Sequence, residues 1–252
     1  MYRIHMKIEQ VKQQVITFLK QSVGPKPAIL GLSGGIDSTL VAYLATEALG
    51  ADKIHVLILP SSTNSKEDLD YANLVVKNLN LESSVLNLEP ILKAYQQTTD
   101  KLFISAKSLG NLKARIRMSL LYGKANELDG IVLGTGNKTE LSVGYFTKYG
   151  DGGVDLLPIG DLYKTEVREL AKHVGVPQEI IDRAPTAGLW EGQTDEGELG
   201  ITYEKLDKIL MAIEQKENLD NFDKDDVQQV KQRMKNAEHK LKMPQIAFCH
   251  DK

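Results

Sequence analysis

The stretch AILGLSGGIDSTLVAYLATEAL, residues 28–49, passes from a short apolar run through a glycine-rich turn into a segment with helical spacing. Residues 28–32 are apolar, and Leu40, Val41, Leu44, Ala48 and Leu49 then recur at the intervals of one helix face. The order is strand, loop, helix. In that order the backbone N–H groups of Ser33-Gly34-Gly35-Ile36-Asp37-Ser38 point at whatever anion docks at the start of the helix. Glycines let the main chain approach phosphate, the hydroxyls of Ser33 and Ser38 can add hydrogen bonds, and the partial positive charge of the helix N-terminus favours phosphate oxygens. Asp37 does not fit phosphate binding alone. A carboxylate beside a phosphate repels it unless a cation lies between them, so Asp37 points to magnesium shared with a nucleotide. The alternative is that Asp37 or Ser38 caps the helix and the glycines make a plain turn. The loop lacks the GxxxxGK[ST] pattern of kinase-like NTPases, and Lys26 precedes the strand.

Outward from this loop the same alternation continues. IHVLIL at 54–59 reads as a buried strand, and 66–79 returns to helix with Leu69, Ala72, Val75, Val76 and Leu79 on one side. SVLNL at 84–88 is a third strand, a helical pattern runs over about 108–127, and GIVLG at 130–134 is a fourth strand ending in glycine. Strands alternating with helices, without hairpin signals, predict an α/β fold: a doubly wound, mostly parallel sheet with helices on both faces. Ligands bind such sheets at the strands' C-terminal ends, so the turns after Leu32 and Leu133 open toward one crevice. Beyond residue 160 the chain becomes mostly helical, with patterns over 163–174 and 203–216 and a last helix from Asp223, its N-cap, to about Leu241. The segment 184–202 (APTAGLWEGQTDEGELGIT) lacks any period, yet holds four glycines, the sole Trp and a group of acids. It reads as a functional loop rather than a plain connector.

The length of 252 residues suits one domain, 1–252, with an added helical layer. Hydrophobic residues make up 42% and charged residues 26%, and no stretch approaches the roughly 18 apolar residues of a membrane span. The polar, helix-patterned N-terminal segment has no signal-peptide character, which predicts a cytoplasmic protein. A formal net charge of -3 gives no pull toward nucleic acid. The single cysteine, Cys249, excludes an internal disulfide and any CxxC metal site.

SGGIDS is similar to the SGGxDS pyrophosphatase loop of the N-type ATP pyrophosphatases, whose fold is of the adenine nucleotide alpha hydrolase type and which cleave ATP between its α and β phosphates. That loop is shared by several families. Three further segments resemble the ammonia-dependent NAD synthetases: NLKARIRM at 111–118, GTGNKTELSVGYFTKYGDGGVDLLPIGDLYKTEVRELA at 134–171 and APTAGLWEGQTDEGELGITYEKLD at 184–207. The resemblance extends from about residue 28 to 241.

The resemblance implies roles residue by residue. ATP would be held by Gly31, Leu32, Ser33, Gly34, Gly35, Ile36, Asp37 and Ser38, with Thr135, Lys164 and Thr186. Asp37 and Glu140 would hold magnesium, and Lys164 would offset charge on the leaving pyrophosphate. Deamido-NAD would meet Asn111, Arg115, Lys148, Asp155, His239 and Lys240. Asn111 and Arg115 lie four residues apart on one helix face, where an amide and a guanidinium can grip the same ligand. Without the resemblance, Glu140 reads as a solvated acid, Lys164 as an exposed helix residue and His239-Lys240 as a solvated helix end.

The implied reaction is ATP-dependent amidation of deamido-NAD with ammonia, giving NAD, AMP and pyrophosphate. A carboxylate is a poor electrophile, so it is first adenylated; ammonia then displaces AMP. Ammonium has no lone pair, and Asp151 is the residue assigned to remove its proton. The chain has no segment long enough for a glutaminase domain and no N-terminal nucleophilic cysteine, which predicts use of free ammonia. The resemblance also implies a homodimer. Two rivals share the loop: a tRNA-modifying adenylase, against which stand the absence of a basic surface and of reactive cysteines, and a non-catalytic ATP-binding regulatory module, against which stands the Asp37–Glu140 pair.

Overall fold

Four parallel strands and the helices between them carry the site, as seen in a computed structural model that describes residues 7–99, 105–186, 188, 190, 192–247 and 249. The chain runs through α1 (Ile8–Val23), β1 (Ala28–Gly31), α2 (Ile36–Leu49), β2 (Ile54–Ile58), α3 (Lys66–Leu79), β3 (Glu82–Val85), α4 (Glu89–Thr99) and α5 (Ala106–Leu128). It continues through β4 (Ile131–Leu133), α6 (Lys138–Val143), α7 (Lys164–His173), α8 (Gln178–Ile181), α9 (Asp195–Leu199), α10 (Tyr203–Glu214) and α11 (Lys224–Leu241). The sheet order is β3-β2-β1-β4, with Ala28 in register with Ile54 on one side and Ile131 on the other. The chain moves from β1 outward to β3 and then returns to the opposite side of β1. The switch point therefore falls between β1 and β4, where sheets of this kind open a crevice.

Alternation along the strands explains why helices cover both faces. Ala28 and Leu30 of β1, with Ile54, Val56 and Ile58 of β2, pack with α1, α2, α3 and α7. Ile29 and Val132 face α5, while Leu57 joins Leu88, Leu92 and Ile116 on the side of α4 and α5. Each of the valines, leucines and isoleucines among them, withdrawn from water, contributes about 1.5–3 kcal/mol, so both faces drive closure of the sheet. A separate cluster centred on Tyr203, Leu206, Ile209, Leu210 and Val230 packs α10 and α11 around Val143 of α6.

The expected strand at 84–88 starts two residues earlier and ends three earlier, at Glu82–Val85, although the amides of Leu86 and Leu88 still donate to the Ile58 and Pro60 carbonyls. β3 is an edge strand whose residues are all exposed, so its apolar spelling does not report burial; Val85 is 53% exposed. Helices α4, α6, α8 and α9 are additions to the sequence reading, and α9 lies inside the segment taken as irregular. Residues 187, 189 and 191 of that segment, and residues 1–6 of the N-terminal helix pattern, lie outside the described residues. The last helix starts where expected: Asp223 accepts from the amides of Asp225 and Asp226. No helix among the described residues is long and apolar enough to cross a membrane.

Candidate active site

A crevice of about 600 Å³ opens at the C-terminal ends of β1 and β4. Gly31, Leu32, Ser33, Gly35, Ile36, Asp37 and Ser38 form one wall. Helix α2 has Gly35 at its N-cap and no side-chain cap, so neither Asp37 nor Ser38 closes the helix and its first amides stay available to an anion. The serine hydroxyls are turned into the loop itself. Ser38 Oγ accepts from the Ser33 amide and lies 3.0 Å from Ser33 Oγ, which accepts from the Gly35 amide. Gly34 stands outside the lining because it packs against α3: at φ +83, a Cβ there would sit 2.2 Å from the Asp68 carbonyl oxygen.

Three charged groups meet where that wall faces α6 and α7. Lys164, the first residue of α7, places its ammonium 2.5 Å from Asp37 Oδ2 and 3.1 Å from Glu140 Oε1. The remaining oxygens of both acids belong to Asn137, which is wholly buried. Asn137 Nδ2 donates to Asp37 Oδ1 at 2.9 Å, and its backbone amide donates to Glu140 Oε2 at 3.3 Å. Asn137 is also the N-cap of α6, accepting from the Glu140 amide, so a capping box aims Glu140 into the crevice. Burial pushes the Glu140 carboxyl above its ordinary value; the Lys164 ammonium opposes this, and the charges of Asp37 and Asp195 add to it. Burial disfavours the Lys164 ammonium, yet Asp37, Glu140 and Asp195 outweigh it and hold the group above its ordinary value.

Beneath this triad lie two aromatic rings and another acid. The Tyr203 ring stands 5.1 Å from the Lys164 ammonium. Its hydroxyl donates to Asp195 Oδ2 at 2.9 Å, while Tyr145 donates to Asp195 Oδ1 at 3.1 Å. Asp195 opens α9, so the segment taken as a loop contributes a buried carboxylate directly to the surroundings of Lys164. Burial pushes its carboxyl up, against the pull of Lys164. Thr135 and Thr186 line the crevice, and Thr186 Oγ1 donates to the Gln193 carbonyl.

The far end of the crevice divides the residues carried over for the dinucleotide. Asn111, Asp151 and Lys240 line it. Asn111 Oδ1 accepts from Thr147 Oγ1, and Lys240 Nζ is held by the carbonyls of Gly144 and Phe146, each at 2.6 Å. Asp151 Oδ1 accepts from the Thr147 amide, and the surrounding protein pushes this carboxyl up, with Lys240 working against the shift. Arg115, Lys148 and His239 form a chain beside the crevice: Arg115 Nε donates to the Lys148 carbonyl, and Lys148 Nζ to the His239 carbonyl. Asp155 is turned toward the sheet, where it accepts from the Val132 amide and the Tyr122 hydroxyl. Asn111 and Arg115 thus do not share one ligand-facing surface. At about 100° per residue, Arg115 rotates past Asn111 to the exposed side of α5, whereas Ala114, Arg117 and Met118 face the crevice.

A model of the NAD synthase family matches residues 8–244. The chain belongs to the NAD synthase family. It is 45% identical over 256 residues to an NH3-dependent NAD+ synthetase of Methanococcoides burtonii, covering 98% of this chain and 97% of that one. Among solved structures it is similar to an NMN synthetase from Francisella tularensis, with a TM-score of 0.87, 34% identity and coverage of 96% and 99% of the two chains. An NH3-dependent NAD synthetase from Campylobacter jejuni gives a TM-score of 0.83 at 33% identity, covering 96% of this chain and 100% of that one.

Three residues of this site escaped the sequence reading. Asn137 carries a signal, because Asn137-x-x-Glu140 is a capping-box pattern at the mouth of a strand. Arg117 sits in the same quoted segment as Arg115, and only tertiary packing shows which of the two turns inward. Asp195 carries no local signal of its own, since its partners Tyr145 and Tyr203 come from separate elements.

Proposed function

We infer that this chain catalyses the ammonia-dependent synthesis of NAD from deamido-NAD, consuming ATP and releasing AMP and pyrophosphate. The observation that carries this reading is the convergence of Asp37 Oδ2 and Glu140 Oε1 on one cationic point beside the α2 N-terminus. The donor set suits magnesium: two hard carboxylates, with the other positions left to phosphate and water. With Asp195 nearby, one ammonium faces three carboxylates, and an added cation relieves that imbalance. Asp37 and Glu140 would hold the ion there, and it would supply Lewis-acid neutralisation of phosphate charge.

The chain's own groups then divide the work. The amides of the Gly31–Ser38 loop and of the first turn of α2 orient the phosphates, with Thr135 and Thr186 further along the same cleft. Lys164 offsets charge on the departing pyrophosphate as the nicotinate carboxylate takes the adenylyl group. Asn111 and Lys240, with Arg115, Lys148 and His239 around the rim, bind the dinucleotide, while Asp155, turned toward the sheet, is left out of this set. Asp151 accepts a proton from ammonium, and the resulting ammonia attacks the acyl adenylate and displaces AMP; its raised carboxyl suits that task. We assign the chain a homodimeric state, supported by the exposure of Val85, Leu86 and Tyr95 on β3, the segment after it and α4.

The likeness to an NMN synthetase favours a second acceptor, nicotinate mononucleotide, which offers the same carboxylate on a smaller body. One set of incubations tests both: ATP, magnesium and ammonium with either acceptor, followed for pyrophosphate, AMP and the amide product. NAD formation outpacing mononucleotide amidation is expected. Release of γ phosphate, or no acceptor-dependent pyrophosphate, would overturn the reading.

A further inference from the structure

Lys164 and Glu140 stand at the starts of two short helices, and the first amides of α7 are held from outside that helix. Helix α7 begins after Tyr163, a residue without a short side-chain acceptor for the first amides of a helix. Those amides are capped from elsewhere. The Lys164 amide donates to Thr139 Oγ1 at 2.9 Å, and the Thr165 amide donates to Asp207 Oδ2 at 2.8 Å. Thr139 Oγ1 in turn donates to Asp207 Oδ1 at 2.5 Å, closing a ring of three hydrogen bonds across α6, α7 and α10.

Each member of this ring adjoins a site residue. Thr139 precedes Glu140, Thr165 follows Lys164, and Tyr203, one turn before Asp207 on α10, supports the Lys164 ammonium with its ring. Asp207 is 1% exposed and Thr139 is fully buried, so water cannot substitute for a missing partner. Both carboxylate oxygens of Asp207 are used within the ring.

We propose that Asp207 is a positioning residue, acting through Thr139 and the Thr165 amide to set the spacing of Glu140 and Lys164 opposite Asp37. It touches no reacting atom. The proposal rests on the reaction assigned above. Its consequence is that loosening the ring weakens the use of magnesium–nucleotide far more than the binding of nucleotide alone.

The test uses Thr139→Val, which keeps the side-chain shape and deletes the hydroxyl, Thr139→Ser, which restores it, and Asp207→Ala. The turnover number for NAD formation is expected to fall about 10–100-fold in Thr139→Val and Asp207→Ala, as when the supports of metal ligands are removed, and to stay within about twofold in Thr139→Ser. Calorimetric titration with a non-hydrolysable ATP analogue should show about tenfold weaker binding in the first two variants with magnesium and a change under about twofold without it. The double variant Thr139→Val/Asp207→Ala should be no slower than the worse single one, because both break the same ring. Thr139→Val with wild-type turnover and magnesium dependence, or losses that multiply in the double variant, would overturn the proposal. If Asp207→Ala does not fold, Thr139→Val against Thr139→Ser decides alone. The titration does not depend on turnover, so a wild-type chain that makes no NAD would sink the assigned reaction while the role of Asp207 is still decided.

Discussion

The Lys164 ammonium lies 2.5 Å from Asp37 Oδ2, although 127 residues separate the two in sequence. With a side chain only 2% exposed, Lys164 is the charge that lets Asp37 and Glu140 face each other. Lys164→Met keeps comparable bulk and removes that charge. Catalysis should fall about 10²–10³-fold, the scale for losing one aimed electrostatic contact in a transition state. Stability should fall by about 3–5 kcal/mol, the scale for breaking a buried pair from one side. Magnesium should then raise the melting temperature of the variant more than that of the wild type, because a divalent cation replaces the missing charge. Equal shifts in thermal melts would refute this account.

Gly34 tests the loop by packing rather than by charge. It combines φ +83 with a Cβ position 2.2 Å from the Asp68 carbonyl oxygen, while Gly175 shares φ +83 but has open space around it. Gly175→Ala should cost about 1 kcal/mol, the backbone strain alone. Gly34→Ala should cost clearly more and also weaken ATP binding, since α3 must retreat from the loop. Thermal melts and nucleotide titrations of the two variants, run side by side, separate strain from clash. Similar costs at both positions would remove Asp68 from the explanation.

These contrasts also show what a linear sequence can reveal. The Gly31–Ser38 loop was legible because strand, glycines and helix are contiguous, and the alternation of elements was enough to place its partner turn after β4. The sheet edge was less legible: Val85, Leu86 and Leu88 look alike in sequence, yet only Leu88 is buried, because burial at an edge depends on what covers it. Arg115 and Arg117 differ by two residues and by which way α5 turns them. Asp207 meets Thr139 from 68 residues away, a distance over which no periodicity carries information.

Asp151 gives the pH dependence a sign. Its carboxyl is pushed above the ordinary carboxylate range by the surrounding protein. A base must be unprotonated, so its contribution is present above the raised value and is lost as pH falls through it, earlier than for an ordinary aspartate near about 3.9. Asp151→Asn should lower the rate at subsaturating ammonium by about 100-fold, and the ratio of wild-type to variant rates should shrink toward the acid end. Steady-state rates over an ammonium series at several pH values check both parts. Wild-type rates in the variant would return the role to another group.

Arg115 and Arg117 should separate binding from stability. Arg117 Nε donates to the Leu59 carbonyl at 3.0 Å and Nη2 to Asn64 Oδ1 at 3.1 Å, tying α5 to the chain that leaves β2. Arg117→Met strands the Leu59 carbonyl, while Asn64 Oδ1 keeps the Ser61 amide and hydroxyl as donors, and the expected cost is about 1–3 kcal/mol with a lower melting temperature. Arg115 is exposed, and its hydrogen bond to the Lys148 carbonyl at 3.3 Å is long. Arg115→Ala should therefore change stability by less than about 0.5 kcal/mol. If Arg115 meets the dinucleotide, its loss raises KM for deamido-NAD while KM for ATP stays put, because the ATP loop lies across the crevice on β1 and α2. Lys148→Ala should act in the same direction, since it unties the same rim from the last turn of α11 at His239. An Arg115→Ala enzyme with both KM values intact would confine deamido-NAD to the Asn111, Asp151 and Lys240 side of the crevice.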